Sequence, residues 1–433
     1  MIRTTLALRA CPGCVALVLA GGIASGCGGG SDGRPVLTFS GSAVGREAEI
    51  LERQFDRFET AHPPWRVELR STPDSADERR QLYVQWLNAR AARPDVLQLD
   101  VIWTAEFAAA GWIRALDDFA PVVSDFFPGS IEADRWRGSL YALPWFVDVG
   151  MLYWRTDLMP QPPATFEALM QQADDVMQGE GLPFGFVWQG ARYEGLVTVF
   201  LEHLGGFGGQ IVDEHGEITV DSEEAVRALT YMRDAIWSRH VVPSAVLTWQ
   251  EEQSRFAFQN GQAAFMRNWP YAHALMQDSR GSRVAGKFDI SLMPAAAGGS
   301  PTAALGGSHL AINAYSAHAN AAFDLIAFLT APDQMLERAR VAGQFPSRLS
   351  LYDTPALTEA LGLAASSARR VIESARPRPV TPIYSELSDI LQIRLHRALS
   401  QQQEPREALG EAASAMRAAL TRAGLDGGTR RYD

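Results

Sequence analysis

Two aspartates set among aromatic rings are the residues of this 433-residue chain best suited to chemistry. Residues 97–103 read as a short buried strand with Asp100 near its carboxyl end and Trp103 just beyond, and Asp148 closes the run Trp145-Phe146-Val147. A strand buried on both faces leaves an acid only a crevice or a partner to point at. In open α/β sheets, ligands bind at the carboxyl ends of the strands. Acids accept hydroxyls and flat rings cover C–H faces, so these residue types together suit a polyhydroxylated ligand. A cap or turn role for either aspartate explains the same residues, and this stretch alone does not separate the two.

The elements that must position them follow from periodicity. Residues 36–40 read as a strand, and 47–61 as a helix with Ile50, Leu51, Phe55 and Phe58 on one face. A strand over 65–70, a helix over 77–92 and the strand bearing Asp100 complete a β-α-β-α-β order, which predicts a parallel, doubly wound lobe. Helical segments are expected over 106–112 and 119–127, a crossover over 143–147 and a strand over 151–154. The next region is helix-rich. It includes a helix from Thr165, a plausible N-cap, and a strand leading into a loop over 185–190. Asp221-Ser222-Glu223-Glu224 reads as a cap with first-turn acids, which suit the helix dipole. Residues 310–313 and 319–330 look like a return to the first lobe, and further helices follow to residue 423.

The first 26 residues read as a secretory signal, with Arg3 and Arg9 before an apolar core and small residues leading to Cys27. Cys27 is the expected lipid-attachment site, and residues 27–34 a flexible tether. Cys11 and Cys14 form a redox-like pair, but they lie inside the signal and would leave with it. The mature chain would then keep Cys27 alone and no internal disulfide. The formal charge of −11 argues against nucleic acid. The histidines lack metal-ligand spacing, so neither a metal nor a cofactor is expected. A mature chain of roughly 400 residues exceeds one core, so two lobes are expected. The body reads as a monomer held to a membrane only through its lipid.

Six segments in order resemble one family: DVIWTAEFAAAGW at 100–112, LYALPWFVDVGMLYW at 140–154, FVWQGARYEG at 186–195, AAFMRNWPY at 263–271, ALGGSH at 304–309 and RPRPVTPIY at 376–384. The chain resembles the extracellular solute-binding proteins of ABC sugar importers, nearest to the trehalose/maltose-binding proteins, over about residues 37–418. That resemblance implies an α/β, two-lobed periplasmic-binding-protein fold of type II, each lobe a doubly wound sheet. It implies a hinge crossed near 144–148, 306–309 and 345–348. The implied lobes are 35–146 plus 308–346, and 147–307 plus 347–433. It implies no enzymatic activity. The expected partners are an α-linked disaccharide (trehalose or maltose) and the permease's transmembrane subunits with their cytoplasmic ATPase.

Carried onto this sequence, the resemblance implies ligand contacts from Glu47, Arg79, Asp100 and Asp148. It implies others from Trp269, Gly306, Gly307 and Arg378. Trp188 and Glu194 are further cleft candidates. Two positions depart from the family's pattern: Phe146 stands where it has Tyr, and Ser308 where it has Trp. Trp145 is the expected replacement for the lost aromatic wall. The competing ligands are another sugar, a polyol, an oligosaccharide or a sugar phosphate, the last disfavoured by the acids of the cleft. The competing class is a carboxylate-dependent glycoside hydrolase.

Overall fold

The computed structural model describes residues 33–42, 46–73, 75–213 and 215–425. The signal segment and Cys27 lie outside the described residues. Strands β1 (Val36–Gly41), β2 (Arg66–Ser71) and β3 (Val96–Asp100) alternate with helices Glu47–Ala61 and Ala76–Asn88, as the sequence predicts. The first helix buries Ile50, Leu51, Phe55 and Phe58, the face read from periodicity. After a small hairpin of β4 (Arg135–Trp136) and β5 (Ser139–Leu140) comes β6 (Ala142–Val149), a long strand over the residues read as a crossover. Gly150 separates it from β7 (Met151–Arg155). Then follow β8 (Phe184–Val187), β9 (Ala263–Asn268), β10 (Phe288–Ser291), β11 (Ala303–Ile312), β12 (Phe345–Pro346) and β13 (Ala375–Arg376).

One sheet has the order β12-β6-β11-β3-β1-β2, with β13 paired to β11; the other has the order β10-β7-β9-β8. The parallel expectation holds for β1 with β2 and β3. Beyond β3 the sheet turns antiparallel, because β11 runs against both β3 and β6. β6 leaves this sheet toward the second one and β11 returns from it, so their directions are set by the crossovers rather than by local helix connections. β6 and β11 pair from Leu305↔Val149 to Ala311↔Ala142, with an irregularity between Ser308 and His309. Gly307 lies in this ribbon at φ +128°, and a Cβ there would stand 2.3 Å from the Phe146 carbonyl oxygen. Only glycine fits.

Two local expectations fail. The strand expected over 97–103 stops at Asp100, and Val101–Trp103 forms a 3₁₀ turn capped by the Asp100 carboxylate, which accepts from the Ile102 N–H at 3.2 Å. The helix expected over 119–127 is absent: a 3₁₀ turn Asp117–Phe119 precedes irregular chain up to helix Pro128–Ala133. Pro121 offers no N–H there, and Asp125 accepts instead from the Ser350 N–H at 2.9 Å. The caps read from sequence do form. Thr165 and Ser222 accept from the backbone N–H groups of Ala168 and Ala225 at 3.1 and 3.3 Å. Among the described residues no helix is long and apolar enough to cross a membrane, and no cluster of ligating side chains could hold a metal.

Candidate functional site

A cavity of about 350 Å³ opens between the two sheets, a volume within the usual range for small-molecule sites. β6 forms its back wall. Successive strand residues face opposite ways, so Phe146 and Asp148 line the cavity while Trp145 points behind the wall. Trp145 is 1% exposed and packs edge-on against Phe39 at 5.6 Å. The expectation that Trp145 supplies an aromatic cleft wall is therefore corrected: it is a core ring. Trp188 is likewise buried and off the cavity. Glu47, Arg79, Asp100, Phe146, Asp148, Glu194, Trp269, Gly306, Gly307, Ser308 and Arg378 all line it.

Asp148 is half-buried, and its carboxylate meets no hydrogen-bond donor among the described residues. Burial, then the charges of Glu47 and Asp100, push its pKa up to about 7. The opposite strand makes room for it. Asp148 pairs with Gly306, where a Cβ would stand 3.3 Å from the aspartate's own Cβ and 3.6 Å from the Trp269 ring. Trp269 stands at the end of β9. The Arg267 guanidinium lies 3.8 Å over its ring, and its indole N–H donates to Glu251 at 3.3 Å. Arg267 is itself buried, donating to Glu202 and to Gln189 at 3.0 Å. The ring is thus held from behind by a fixed cation.

Asp100 serves both as cap and as cleft residue. Its Oδ1 accepts from Ile102 N–H and, at 3.1 Å, from Arg378. Arg378, 5% exposed, also donates to Glu194 at 2.8 Å and to the Leu305 carbonyl at 3.3 Å. It binds two carboxylates from different elements, so most of its donors are spent within the protein. Glu194 in turn accepts from Tyr384 at 2.8 Å and from Ser388. Burial raises its pKa against the pull of Arg378. Arg79 is buried, donates to the Pro73 carbonyl at 3.3 Å and lies 5.4 Å over the Trp103 ring.

The cavity floor is polar, and sequence reasoning missed most of it. Ser308 accepts from Gln98 at 2.8 Å; Gln98 accepts from the Ser42 N–H at 2.8 Å; the Ser42 hydroxyl donates to Glu47 at 3.0 Å; and Gln344 also donates to Glu47. Tyr193, Glu251 and Tyr271 complete the far side. Gln98 had one legible signal, a polar side chain within an apolar strand. Such a chamber can hold an uncharged, hydroxyl-rich molecule between an aromatic ring and several acceptors. No nucleophile–base pair is assembled in it.

Two α/β lobes joined by paired crossover strands around a polar cavity define the type II periplasmic-binding fold. The chain belongs to the family of bacterial extracellular solute-binding proteins, whose sequence profile matches residues 44–336. This is a family of binding proteins rather than enzymes. A probable ABC transporter-binding protein of Deinococcus radiodurans is 36% identical over 388 residues, covering 86% of this chain and 91% of that protein. The maltose-bound structure of T. maritima MalE3 is 41% identical with a TM-score of 0.85, covering 89% of this chain and all of that one. The acarbose-binding GacH receptor of Streptomyces glaucescens shares the fold at 24% identity and a TM-score of 0.80, covering 89% of this chain and 98% of that one.

Proposed function

We propose that this protein captures an α-linked disaccharide, maltose or trehalose, in the interlobe cavity and delivers it to the transmembrane subunits of an ABC importer. One observation carries the reading: among the described residues the Asp148 carboxylate meets no donor, and it faces the cavity beside the Trp269 ring. A buried acceptor of this kind is matched by paired hydroxyls, and the ring by a pyranose face. The likeness to maltose-bound MalE3 supports the sugar class. In this reading Glu47, Arg79, Asp100, Phe146, Asp148, Trp269, Gly306, Gly307 and Ser308 contact the sugar. Arg378 holds Asp100 and Glu194 in place. The acids around the cavity disfavour anionic ligands such as sugar phosphates.

The lobes are 35–146 plus 308–346, and 147–307 plus 347–433, closing about the crossovers. The mature chain acts as a monomer, tethered at the cell surface or in the periplasm by a lipid on Cys27. Titration calorimetry of the mature chain against trehalose, maltose, sucrose and maltotriose tests the ligand class. Small-angle scattering with saturating sugar tests closure, with a smaller radius of gyration expected. Absence of heat from all four sugars with folded protein overturns the ligand class; binding at unchanged radius overturns closure.

A further inference from the structure

Behind the cavity wall, Arg338 presents a puzzle. It lies on helix Pro332–Ala342, is 1% exposed, and among the described residues none of its three side-chain nitrogens has a hydrogen-bond partner. Its guanidinium lies over Trp145, 3.7 Å from the ring centroid, and 5.6 Å from that of Phe146. The nearest carboxylate oxygen is that of Glu47, at 3.9 Å. A buried guanidinium without hydrogen bonds is expensive, and an apolar side chain of similar volume would fill the space more favourably. Packing therefore does not account for it.

We propose that Arg338 is a positioning residue for the sugar site, keeping the buried Glu47 carboxylate ionised and fixed so that it accepts ligand hydroxyls. This rests on the reading of Glu47 as a ligand contact. Glu47 is 6% exposed at the head of helix Glu47–Ala61 and lines the cavity, with Ser42 and Gln344 donating to it. Burial raises its pKa, and Arg338 is the strongest opposing influence, ahead of Ser42, Arg79 and Gln344. Burial draws Arg338 itself down only to about 10, so it remains cationic at neutral pH. The other charged groups around the pair are Asp148 on β6, Arg79 on helix Ala76–Asn88, Arg46 at the cavity edge and Glu337 beside Arg338. Trp145 gains a role as well: it is the platform on which the cation rests.

The sign is fixed by the linkage. Without the cation, burial acts on Glu47 with less opposition, its pKa rises, and the carboxyl keeps its proton, as a donor, to higher pH. Sugar affinity then falls at low pH and recovers as pH climbs. Arg338→Met removes the charge at similar volume, Arg338→Lys keeps it, and Glu47→Gln identifies the carboxyl signal.

Carbon-13 NMR of glutamate carboxyls in the ligand-free protein gives a readout that needs no sugar. The Glu47 midpoint should rise by about one pH unit or more in Arg338→Met, a tenfold change in proton affinity, and by less in Arg338→Lys. Calorimetry with maltose and trehalose gives the second arm. The ratio of variant to wild-type Kd should reach about ten on the acidic side, matching the shifted midpoint, and shrink toward one as pH rises, and Glu47→Gln should abolish that pH dependence. An unmoved midpoint, or a Kd ratio constant with pH, overturns the proposal. If Arg338→Met does not fold, the Lys variant decides: a midpoint near wild type supports the proposal, and one raised by a unit or more despite the retained charge overturns it. A shifted midpoint with no sugar bound by wild type would leave the electrostatic role standing and sink the sugar reading alone.

Discussion

Asp148→Asn should make the ligand-free protein more stable while weakening its grip on sugar. Burial and the neighbouring acids move this carboxyl from 3.8 to about 7. The folded protein therefore binds a proton that the unfolded chain releases between those values, and stability falls as pH rises through that window. Once the group is fully charged the penalty has a ceiling of about 4 kcal/mol. Solvent reaches the half-buried group, so about 1–3 kcal/mol is the expected gain at pH 8, a rise of a few °C in melting temperature. Below about pH 3.8 the carboxyl is protonated in both the folded and the unfolded chain, so the melting difference between wild type and variant should shrink as pH falls toward that value. Binding moves the other way: losing a charge-assisted hydrogen bond in a dry site costs about 1.5–3 kcal/mol, or roughly ten- to a hundredfold in Kd. Differential scanning calorimetry at pH 5 and pH 8, paired with titration calorimetry against maltose and trehalose, reads both effects. A variant that melts below wild type at pH 8, or a melting difference that is the same at both pH values, refutes the electrostatic account. Unchanged affinity for the sugars removes Asp148 from the site.

Other substitutions separate packing from recognition. Trp145→Ala should lower the melts with and without sugar together, by an amount matching the roughly 3–5 kcal/mol of a truncated core ring. Trp269→Ala should leave the ligand-free melt nearly unchanged and shrink the sugar-induced shift by about 1–2 kcal/mol of affinity; the reverse pattern would exchange their assignments. Gly307→Ala places a Cβ 2.3 Å from the Phe146 carbonyl at φ +128° and should destabilise by more than about 2 kcal/mol. A melt within 1 °C of wild type would show that the ribbon yields there.

Much of the frame was legible because it is local. The helix over 47–61 announced its buried face through spacing, and Asp100 betrayed itself as an acid ending an apolar run. Trp145 was misread although the signal was present: on a strand, Phe146 and Asp148 share a side and Trp145 takes the other. Gln98 showed only as a polar side chain within an apolar strand, and Ser42 and Gln344 carry no such signal, since each is an ordinary polar side chain until the chain brings 42, 98, 308 and 344 together. The antiparallel half of the sheet was hidden for the same reason. β6 and β11 are separated by more than a hundred residues, and no local pattern encodes their pairing.

The paired glycines have a consequence for how such a cavity can diversify. At Gly307 a side chain collides with backbone, and at Gly306 it crowds Asp148 and Trp269. This wall is also part of the strands that join the lobes, so a change here disturbs the linkage as well as the ligand. The opposite side is built from ends of helices, with Arg79 on one and Glu251 and Glu252 on another, where a substitution alters chemistry without moving a strand. The cavity thus has a mechanical wall and an adaptable one. A lineage that shifts to a longer or differently linked sugar has its room for change on the helical side, while the strand side is held by the joint between the lobes.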